Sequence, residues 1–119
     1  MLIESIPISL GDKMPHFTLS CPTGTSYSLD QLMGPKGLFI AFTCNHCPYA
    51  IAIWPRVITL SEQLKKWGIH TVAINPNIHP DYPADRPEAM QEKIAEWQIP
   101  FPYLVDADQA VAQSYQAQC

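Results

Sequence analysis

Apolar and polar residues follow two different periods along this chain, which predict strands in some segments and helices in others. Near the N-terminus, two short β-prone runs at 17–20 and 26–29 flank a Pro-Thr-Gly turn, so they predict a hairpin. Residues 37–43 form a continuous apolar run, Gly-Leu-Phe-Ile-Ala-Phe-Thr, which is typical of a central strand buried on both faces. A second run at 69–75 predicts the next strand.

Between those two runs the apolar period becomes that of a helix. Over residues 48–67 apolar side chains recur at spacings of three and four, and Gly68 follows. The apolar positions of this predicted helix are Ile53, Val57, Leu60, Leu64 and Trp67. Because a long helix separates the two strands, we expect a parallel strand–helix–strand unit.

The loop after the second run contains several prolines and ends in a signal for a helix start. Asp85 and Glu88 match a capping box, in which side chains at both positions satisfy backbone N–H groups, so they predict a helix beginning there. The three tryptophans fall on apolar helix faces, and we expect all of them in the core: Trp54, Trp67 and Trp97.

The last part of the chain predicts one more strand and one more helix. Residues 101–105 read as a short strand, and Asp106 or Asp108 is expected to cap the final helix. The resulting order, β-β-β-α-β-α-β-α, predicts an α/β fold with one domain over residues 1–119.

Composition narrows the function classes. The chain has 119 residues, of which 47% are hydrophobic, and this is enough for one core. Its net charge of −4 and its lack of a basic cluster argue against a nucleic-acid partner. No apolar run approaches the roughly 20 residues that span a bilayer, so no membrane partner is expected. The N-terminal stretch contains Glu4 and does not resemble a signal peptide, which predicts a cytoplasmic protein with reduced thiols.

The candidate chemistry lies in Cys44-Asn45-His46-Cys47, directly after the predicted strand. A thiolate is the nucleophile in disulfide exchange, and a helix N-terminus lowers the pKa of a nearby thiol. We therefore expect Cys44 at the helix mouth as the attacking thiol and Cys47, one turn later, as the resolving thiol. A protonated His46 would stabilise the thiolate further and make the pair more oxidising. An exposed loop histidine with little effect is the alternative for His46.

Other readings of the two cysteines remain open. A structural zinc site would need two more ligands, and the candidates are Cys21, His70, His79 and Cys119. Haem attachment requires a histidine directly after the second cysteine, where this chain has Pro48. Two inert buried thiols are the third alternative. We expect no metal and no cofactor, a structural role for Cys21, and an exposed thiol or an extra resolving thiol at Cys119.

Four stretches resemble the thioredoxin-like superfamily, and more narrowly its redoxin branch related to alkyl hydroperoxide reductase and thiol-specific antioxidant proteins. They are GDKMPHFTL, FTCNHCPYA, VAINPN and PFPYLVDADQAVAQSY, which together extend over about residues 11–119. The resemblance implies a thiol–disulfide oxidoreductase or antioxidant activity with Cys44 and Cys47 as the redox-active pair. The implied partners are protein or small-molecule thiols and disulfides.

Two alternatives to this activity follow from the same stretches. Peroxiredoxins carry their reactive cysteine in a Thr-x-x-Cys register, whereas Cys44 directly follows Thr43 and Cys47 comes four residues after it. A thiol peroxidase acting on a peroxide is therefore the alternative enzyme. A non-catalytic interaction module with the same fold is the third hypothesis.

The resemblance also implies a cis-proline facing the cysteines, then a β-hairpin and a terminal helix. The chain reaches Cys119 before that segment, so we expect a thioredoxin-like domain that lacks the C-terminal hairpin and helix, as in a truncated domain. The strand at 38–43 would then have one unpaired edge. Such an edge predicts self-association through 38–43 unless another chain segment covers it.

Overall fold

The computed structural model of the chain describes residues 10, 11 and 13–117. A five-stranded mixed sheet forms the centre, and helices cover both of its faces. The strands are β1 Thr18–Ser20, β2 Ser26–Ser28, β3 Gly37–Phe42, β4 Ile69–Asn75 and β5 Tyr103–Val105. The helices are α1 Leu29–Leu32, α2 Pro48–Lys66, α3 Pro87–Trp97 and α4 Ala110–Ser114, with a 3₁₀ turn at Pro83–Asp85.

The strands pair in the order β2-β1-β5-β4-β3, with both predicted pairings present. The hairpin β1–β2 is antiparallel, and β3 and β4 are parallel on either side of α2. β5 is parallel to β4 and antiparallel to β1, so the sheet is mixed. The carboxyl ends of the parallel strands β3, β4 and β5 therefore lie together, and side chains from different loops meet there.

The prediction that residues 37–43 form a strand is confirmed for 37–42, but its central position in the sheet is wrong. β3 lies at the edge, and within the described residues β4 is its only strand partner. All six residues of β3 are half-buried, whereas the last five residues of β4 are buried. An apolar run shows that a strand is covered on its faces, but it does not show how many strands flank it.

Two apolar clusters pack against opposite faces of the sheet, and β4 contributes to both. Val72 and Ile74 point to one face, and Ala73 points to the other, as expected for a strand covered on both sides. The first cluster comprises Phe17, Leu32, Val72, Ile74, Leu104, Val111 and Tyr115. The second comprises Trp54, Ala73, Met90, Ile99 and Tyr103.

The long helix α2 has the predicted bounds but turns a different face to the core. Trp54 is buried and contacts Trp97 at a ring distance of 5.6 Å, whereas Trp67 is 69% exposed. The core prediction is thus confirmed for Trp54, wrong for Trp67, and partly met by the half-buried Trp97. Ile53 is also exposed, because it lies about 100° around the helix from Trp54. Neither α2 nor another helix of the described part is long and apolar enough to cross a bilayer.

Helix ends show one cap that the sequence predicts and one that it misses. The carboxylate of Asp106 accepts hydrogen bonds from the N–H groups of Val111 and Ala112 at 3.2 and 2.8 Å, so it satisfies the first turn of α4 as predicted, although the N-cap residue itself is Gln109. Ser28 and Gln31 form a capping box that starts α1 directly after β2, where the sequence reading extended the strand to residue 29. That short helix was not predicted, although its Ser-x-x-Gln signature is present.

The predicted capping box of Asp85 and Glu88 is wrong. α3 begins at Pro87 after Arg86, and Asp85 instead ends the 3₁₀ turn that precedes the helix. The carboxylate of Asp85 is completely buried and accepts a hydrogen bond from the N–H of Asn45, in the cysteine loop. Asp85 therefore accepts a long-range hydrogen bond instead of capping α3.

Candidate active site

The loop with the two cysteines connects β3 to α2 at the carboxyl ends of the parallel strands. Its beginning is held to the neighbouring strand by a hydrogen bond from the Thr43 N–H to the Ile74 carbonyl, at 2.9 Å. Cys47 is the N-cap residue of α2 and Pro48 is the first helical residue. Cys44 lies three residues before the cap, so the expectation that Cys44 sits at the helix mouth is wrong.

The two cysteines are both free thiols, but they differ in burial. Cys44 is only 5% exposed, and Cys47 is half-buried. The indole N–H of Trp54 donates to the Cys44 carbonyl at 3.3 Å, which fixes the backbone of Cys44 against the core. The first cysteine of the motif is therefore the inner one.

The pKa of the Cys44 thiol is raised from its ordinary value, which is opposite to the predicted direction. Burial is the largest cause, because removal from water disfavours the thiolate. Backbone N–H groups of Cys47 and His46 lower the pKa in part, while negative charges on Asp85 and Cys47 raise it further. At neutral pH, Cys44 is consequently a protonated thiol.

Asp85 is the centre of a buried hydrogen-bond network beneath this loop. Its Oδ1 accepts from the Asn45 N–H at 2.5 Å and from the Asn75 side-chain amide at 2.9 Å. Its Oδ2 bonds to Nδ1 of His46. A buried carboxylate is costly unless it is hydrogen-bonded, and here both oxygens have partners.

Tyr103 connects the same network to the core. Its hydroxyl donates to Asn45 Oδ1 at 2.9 Å and accepts from the Asn75 amide at 3.3 Å. The pKa of Tyr103 is strongly raised, first by burial and then by the charges of Asp85 and Cys44, so the phenol remains a neutral donor. The network joins β4, β5 and the 3₁₀ turn to the cysteine loop, and it fixes the backbone between the two thiols.

The imidazole of His46 has partners on two sides. Nδ1 bonds to Asp85, and the ring stacks on Tyr82 with a centroid distance of 4.5 Å and an interplanar angle of 6°. About one third of the His46 side chain is exposed. His46 is therefore a positioned group beside the thiols, and its effect on them stays a prediction.

Sequence reasoning identified Cys44, Cys47 and His46 but missed Asn75, Asp85 and Tyr103 as site residues. One signal was available, since Asn75 is a polar residue at the end of an apolar strand, and polar groups in that position often line sites. The other two gave no local signal. Asn45, between the two cysteines, donates from its side-chain amide to the Ala84 carbonyl at 2.9 Å.

Among the described residues, one group of side chains offers metal-ligand atoms that lie close together: Cys44, His46 and Asp85. One ligand atom from each lies within 4.8 Å of the others. Thiolate, imidazole and carboxylate are all zinc ligands, and three of them would leave one coordination position open. In this structure the imidazole and the carboxylate bond to each other.

The ligands named for the zinc alternative do not join this group. Cys21 contacts the Thr23 hydroxyl at 2.9 Å in the hairpin turn, and His79 lies 3.4 Å from Asp81. His70 lies near the opposite end of β4, beside a cavity of about 510 Å³. Cys119 lies outside the described residues.

An apolar groove of about 400 Å³ runs beside the cysteine loop, between β3 and α2. We call it the α2–β3 groove. It is lined by Phe39, Ala41, Phe42, Thr43, Tyr49, Ala50, Ile53, Trp54 and Val57. Because β3 is an edge strand, this apolar surface continues to the unpaired side of the sheet.

Comparisons with known proteins agree with the fold. A family model described as the AhpC/TSA family matches residues 10–119. No curated protein matches the chain. A solved structure of a secreted Mycobacterium tuberculosis disulfide oxidoreductase shares the fold at 20% identity and a TM-score of 0.65, over 83% of this chain and 66% of that one. The predicted thioredoxin-like fold is thus confirmed.

Two solved structures are more similar in sequence. An uncharacterized conserved protein from Geobacillus kaustophilus is 36% identical, with a TM-score of 0.92 over 98% of this chain and 62% of that chain. A hypothetical protein from Sinorhizobium meliloti 1021 is 30% identical, with a TM-score of 0.90 over 97% of this chain and 63% of that chain. The chain therefore spans less than two thirds of the length of these two relatives.

Proposed function

Because the chain belongs to the AhpC/TSA family and has a thioredoxin-like fold, we propose that it is a thiol–disulfide oxidoreductase with Cys44 and Cys47 as its active pair. One observation carries the proposal most directly. Two free thiols lie in a single loop between the end of a parallel strand and the start of a helix, above a buried polar network. The CxxC spacing lets the two sulfurs form and break one disulfide.

The reaction that this site supports is exchange of a dithiol for a disulfide. One thiolate attacks a partner disulfide, a mixed disulfide forms, and the other thiol displaces the partner as a thiol. The substrates we propose are disulfides of proteins or small molecules. The cytoplasmic location stays a prediction, and it fits a pair that begins each cycle in the reduced state.

Reduction of insulin by dithiothreitol, followed as turbidity, tests this function. We expect the protein to accelerate the reaction and the Cys21→Ser variant to retain that activity, because Cys21 lies in the hairpin turn. Cys44→Ser and Cys47→Ser should each lose it. Equal turbidity with and without the wild-type protein would contradict the proposed function.

A thiol peroxidase is the second candidate, and the position of Cys47 favours it. Cys47 occupies the N-cap of α2, next to the backbone N–H groups of the first turn that have no partner within the helix. A peroxidase would form a sulfenic acid on that sulfur. Peroxide consumption with a thiol reductant, and trapping of the sulfenic acid by dimedone, would distinguish it from a disulfide reductase.

A further inference from the structure

The sulfurs of the active pair differ in ways that decide which one reacts first. Cys47 is half-buried at the start of a helix of 19 residues, and Tyr49, two residues later, is 87% exposed. Cys44 is 5% exposed and faces the buried network. An attacking thiol must reach the sulfur of a partner molecule, whereas a resolving thiol has to reach only its neighbour.

The geometry points to Cys47 as the attacking thiol and Cys44 as the resolving thiol, with His46 as the base for Cys44 and Asp85 as the residue that positions His46. This assignment rests on the proposed function and reverses the order of roles that the sequence predicts. Asp85 then matters only for the second step of the reaction, the attack by Cys44, because it acts through His46.

The surroundings of Cys47 suit the first step. The first N–H groups of a helix have no partner within the helix, and a side chain at the N-cap can accept from them. Pro48 has no N–H, so the first free N–H groups of α2 belong to Tyr49 and Ala50, and the Cys47 thiol makes no hydrogen bond to them in the structure. A thiolate at Cys47 would accept from these donors while staying open to a partner.

The surroundings of Cys44 suit the second step. Burial raises the pKa of its thiol, and negative charge on Cys47 raises it further. When Cys47 becomes part of a mixed disulfide, that charge disappears and one of the causes of the raised pKa is removed. Deprotonation of Cys44 therefore becomes easier only after the first step has taken place.

His46 is the group placed to take that proton. The imidazole belongs to the same side-chain group as the Cys44 sulfur, with one ring nitrogen within 4.8 Å of it. Nδ1 is bonded to Asp85, so Nε2 is left to exchange the proton. The stack on Tyr82 and the bond to Asp85 hold the ring in one orientation.

The other titratable groups facing Cys44 and His46 are few. Asp85 lies on the 3₁₀ turn, Cys47 belongs to the same loop, and Tyr103 comes from β5. Tyr82 lies against the imidazole, and His79 lies beyond it at 6.1 Å from the Tyr82 ring. Among these groups, His46 is the one that belongs to the cysteine loop and bonds to the buried Asp85 carboxylate.

The two steps balance in atoms and electrons. The Cys47 thiolate attacks the partner disulfide, a Cys47–partner S–S bond forms, and the first partner sulfur leaves with the electron pair and takes a proton from solvent. His46 then accepts the proton of Cys44, whose sulfur attacks the Cys47 sulfur. The mixed disulfide breaks, the second partner sulfur leaves as a thiolate and is protonated by His46, and the enzyme holds a Cys44–Cys47 disulfide.

Dithiobis(nitrobenzoate) is a suitable probe, because each step releases one coloured thiol and stopped-flow absorbance separates them. We would use a Cys21→Ser, Cys119→Ser background to leave only the pair. Cys44→Ser should release one equivalent at the rate of the parent and keep a stable mixed disulfide. Cys47→Ser should react at least about tenfold more slowly. Fast reaction of Cys47→Ser with a slow Cys44→Ser would overturn the assignment.

The role of Asp85 is tested by the second step alone. Asp85→Asn keeps the size of the side chain and removes a charge that raises the pKa of Cys44, so the charge change alone would speed the second release. Because the inference makes the positioned His46 decisive, the variant should instead slow the second release by about tenfold or more at pH 7 while leaving the first within about twofold. The loss should shrink at pH values where Cys44 ionises without a base. Asp81→Asn removes an exposed loop carboxylate that lies beside His79, and it should change neither step.

A purely structural role for Asp85 would slow both steps at every pH, and that result would overturn the inference. His46→Gln provides the same test at a partly exposed side chain if Asp85→Asn folds poorly. The double variant should be no slower than His46→Gln, because Asp85 acts through the imidazole.

If the assignment holds while insulin is not reduced, only the proposed substrate class fails. If insulin is reduced while Cys47→Ser is the trapping variant, only the assignment fails.

Discussion

Asp85 accepts hydrogen bonds from groups that lie 10, 39 and 40 residues away along the chain. Because a buried carboxylate loses its hydration, each of these bonds compensates part of that cost. The same bonds fix the backbone of Asn45 and the ring of His46, on either side of the path between the two sulfurs. One side chain thus links the fold of the loop to the chemistry of the thiols.

Alkaline pH should destabilise the folded protein through its buried thiol and phenols. The pKa values of Cys44, Tyr103 and Tyr115 are raised mainly by burial, so the folded state keeps protons that the unfolded chain releases. Their contribution is complete below the ordinary pKa values, 9.0 for cysteine and 10.0 for tyrosine, and is lost as the pH rises through the folded-state values. The urea midpoint should therefore fall between pH of about 8 and about 10.5.

The variant Cys44→Ala provides a control for this pH dependence. It lacks the buried thiol, so its midpoint should fall by a smaller amount over the same interval. A midpoint that stays constant or rises with pH in the wild-type protein would show that the buried groups titrate as they do in the unfolded chain.

The sequence predicts which residues of the site carry reactive groups, because cysteine and histidine are rare and their spacing is local. It does not predict Asp85 or Tyr103 as members of the site. The Tyr103 hydroxyl bonds to a residue 58 positions away, and such a contact depends on the sheet order. The burial that raises the pKa of Cys44 is likewise a property of the packed loop.

The start of α4 depends on one buried carboxylate, and its neighbour serves as a matched comparison. Asp106 is completely buried and accepts from two backbone N–H groups, whereas Asp108 is exposed and accepts from the Ala110 N–H at 3.1 Å. Asp106→Ala should lower the free energy of unfolding by about 2 kcal/mol, and Asp108→Ala by less than about 1 kcal/mol. Urea unfolding would measure both, and equal losses would contradict the cap assignment.

Element bounds were more predictable from the sequence than element surroundings. The runs at 37–43 and 69–75 and the helix from Pro48 match the structure closely, since periodicity and proline act locally. The exposed Trp67 and the edge position of β3 did not follow from the pattern. An apolar face identifies a surface to be covered, and the covering element is determined by the rest of the fold.

The described sheet ends at β3, where no further strand covers the edge. The edge of β3, which has no second strand partner among the described residues, adjoins the α2–β3 groove, where Ile53 is about half exposed. An open strand edge next to apolar side chains favours pairing with another chain. We propose that a second copy of this chain pairs there, as the sequence predicts for residues 38–43.

Self-association at this surface should depend on concentration and on one apolar contact. Light scattering coupled to gel filtration should show dimers that increase with concentration, and Ile53→Lys should shift the protein toward the monomer. Lys66→Ala, at the far end of α2, is the matched control and should have no effect. A monodisperse wild-type monomer with slow amide exchange along 38–43 would contradict the proposal.

We propose that Cys44 and Cys47 act together as a reversible dithiol. The most direct test equilibrates the protein in glutathione buffers of graded potential, quenches with an alkylating reagent and locates the products by peptide mass. We predict a single transition in which both cysteines lose access to the reagent together and the peptide loses two hydrogens, and either serine variant should abolish it. If the two thiols stay alkylatable over the whole range, or are glutathionylated independently, the pair is not a redox unit and the account is wrong.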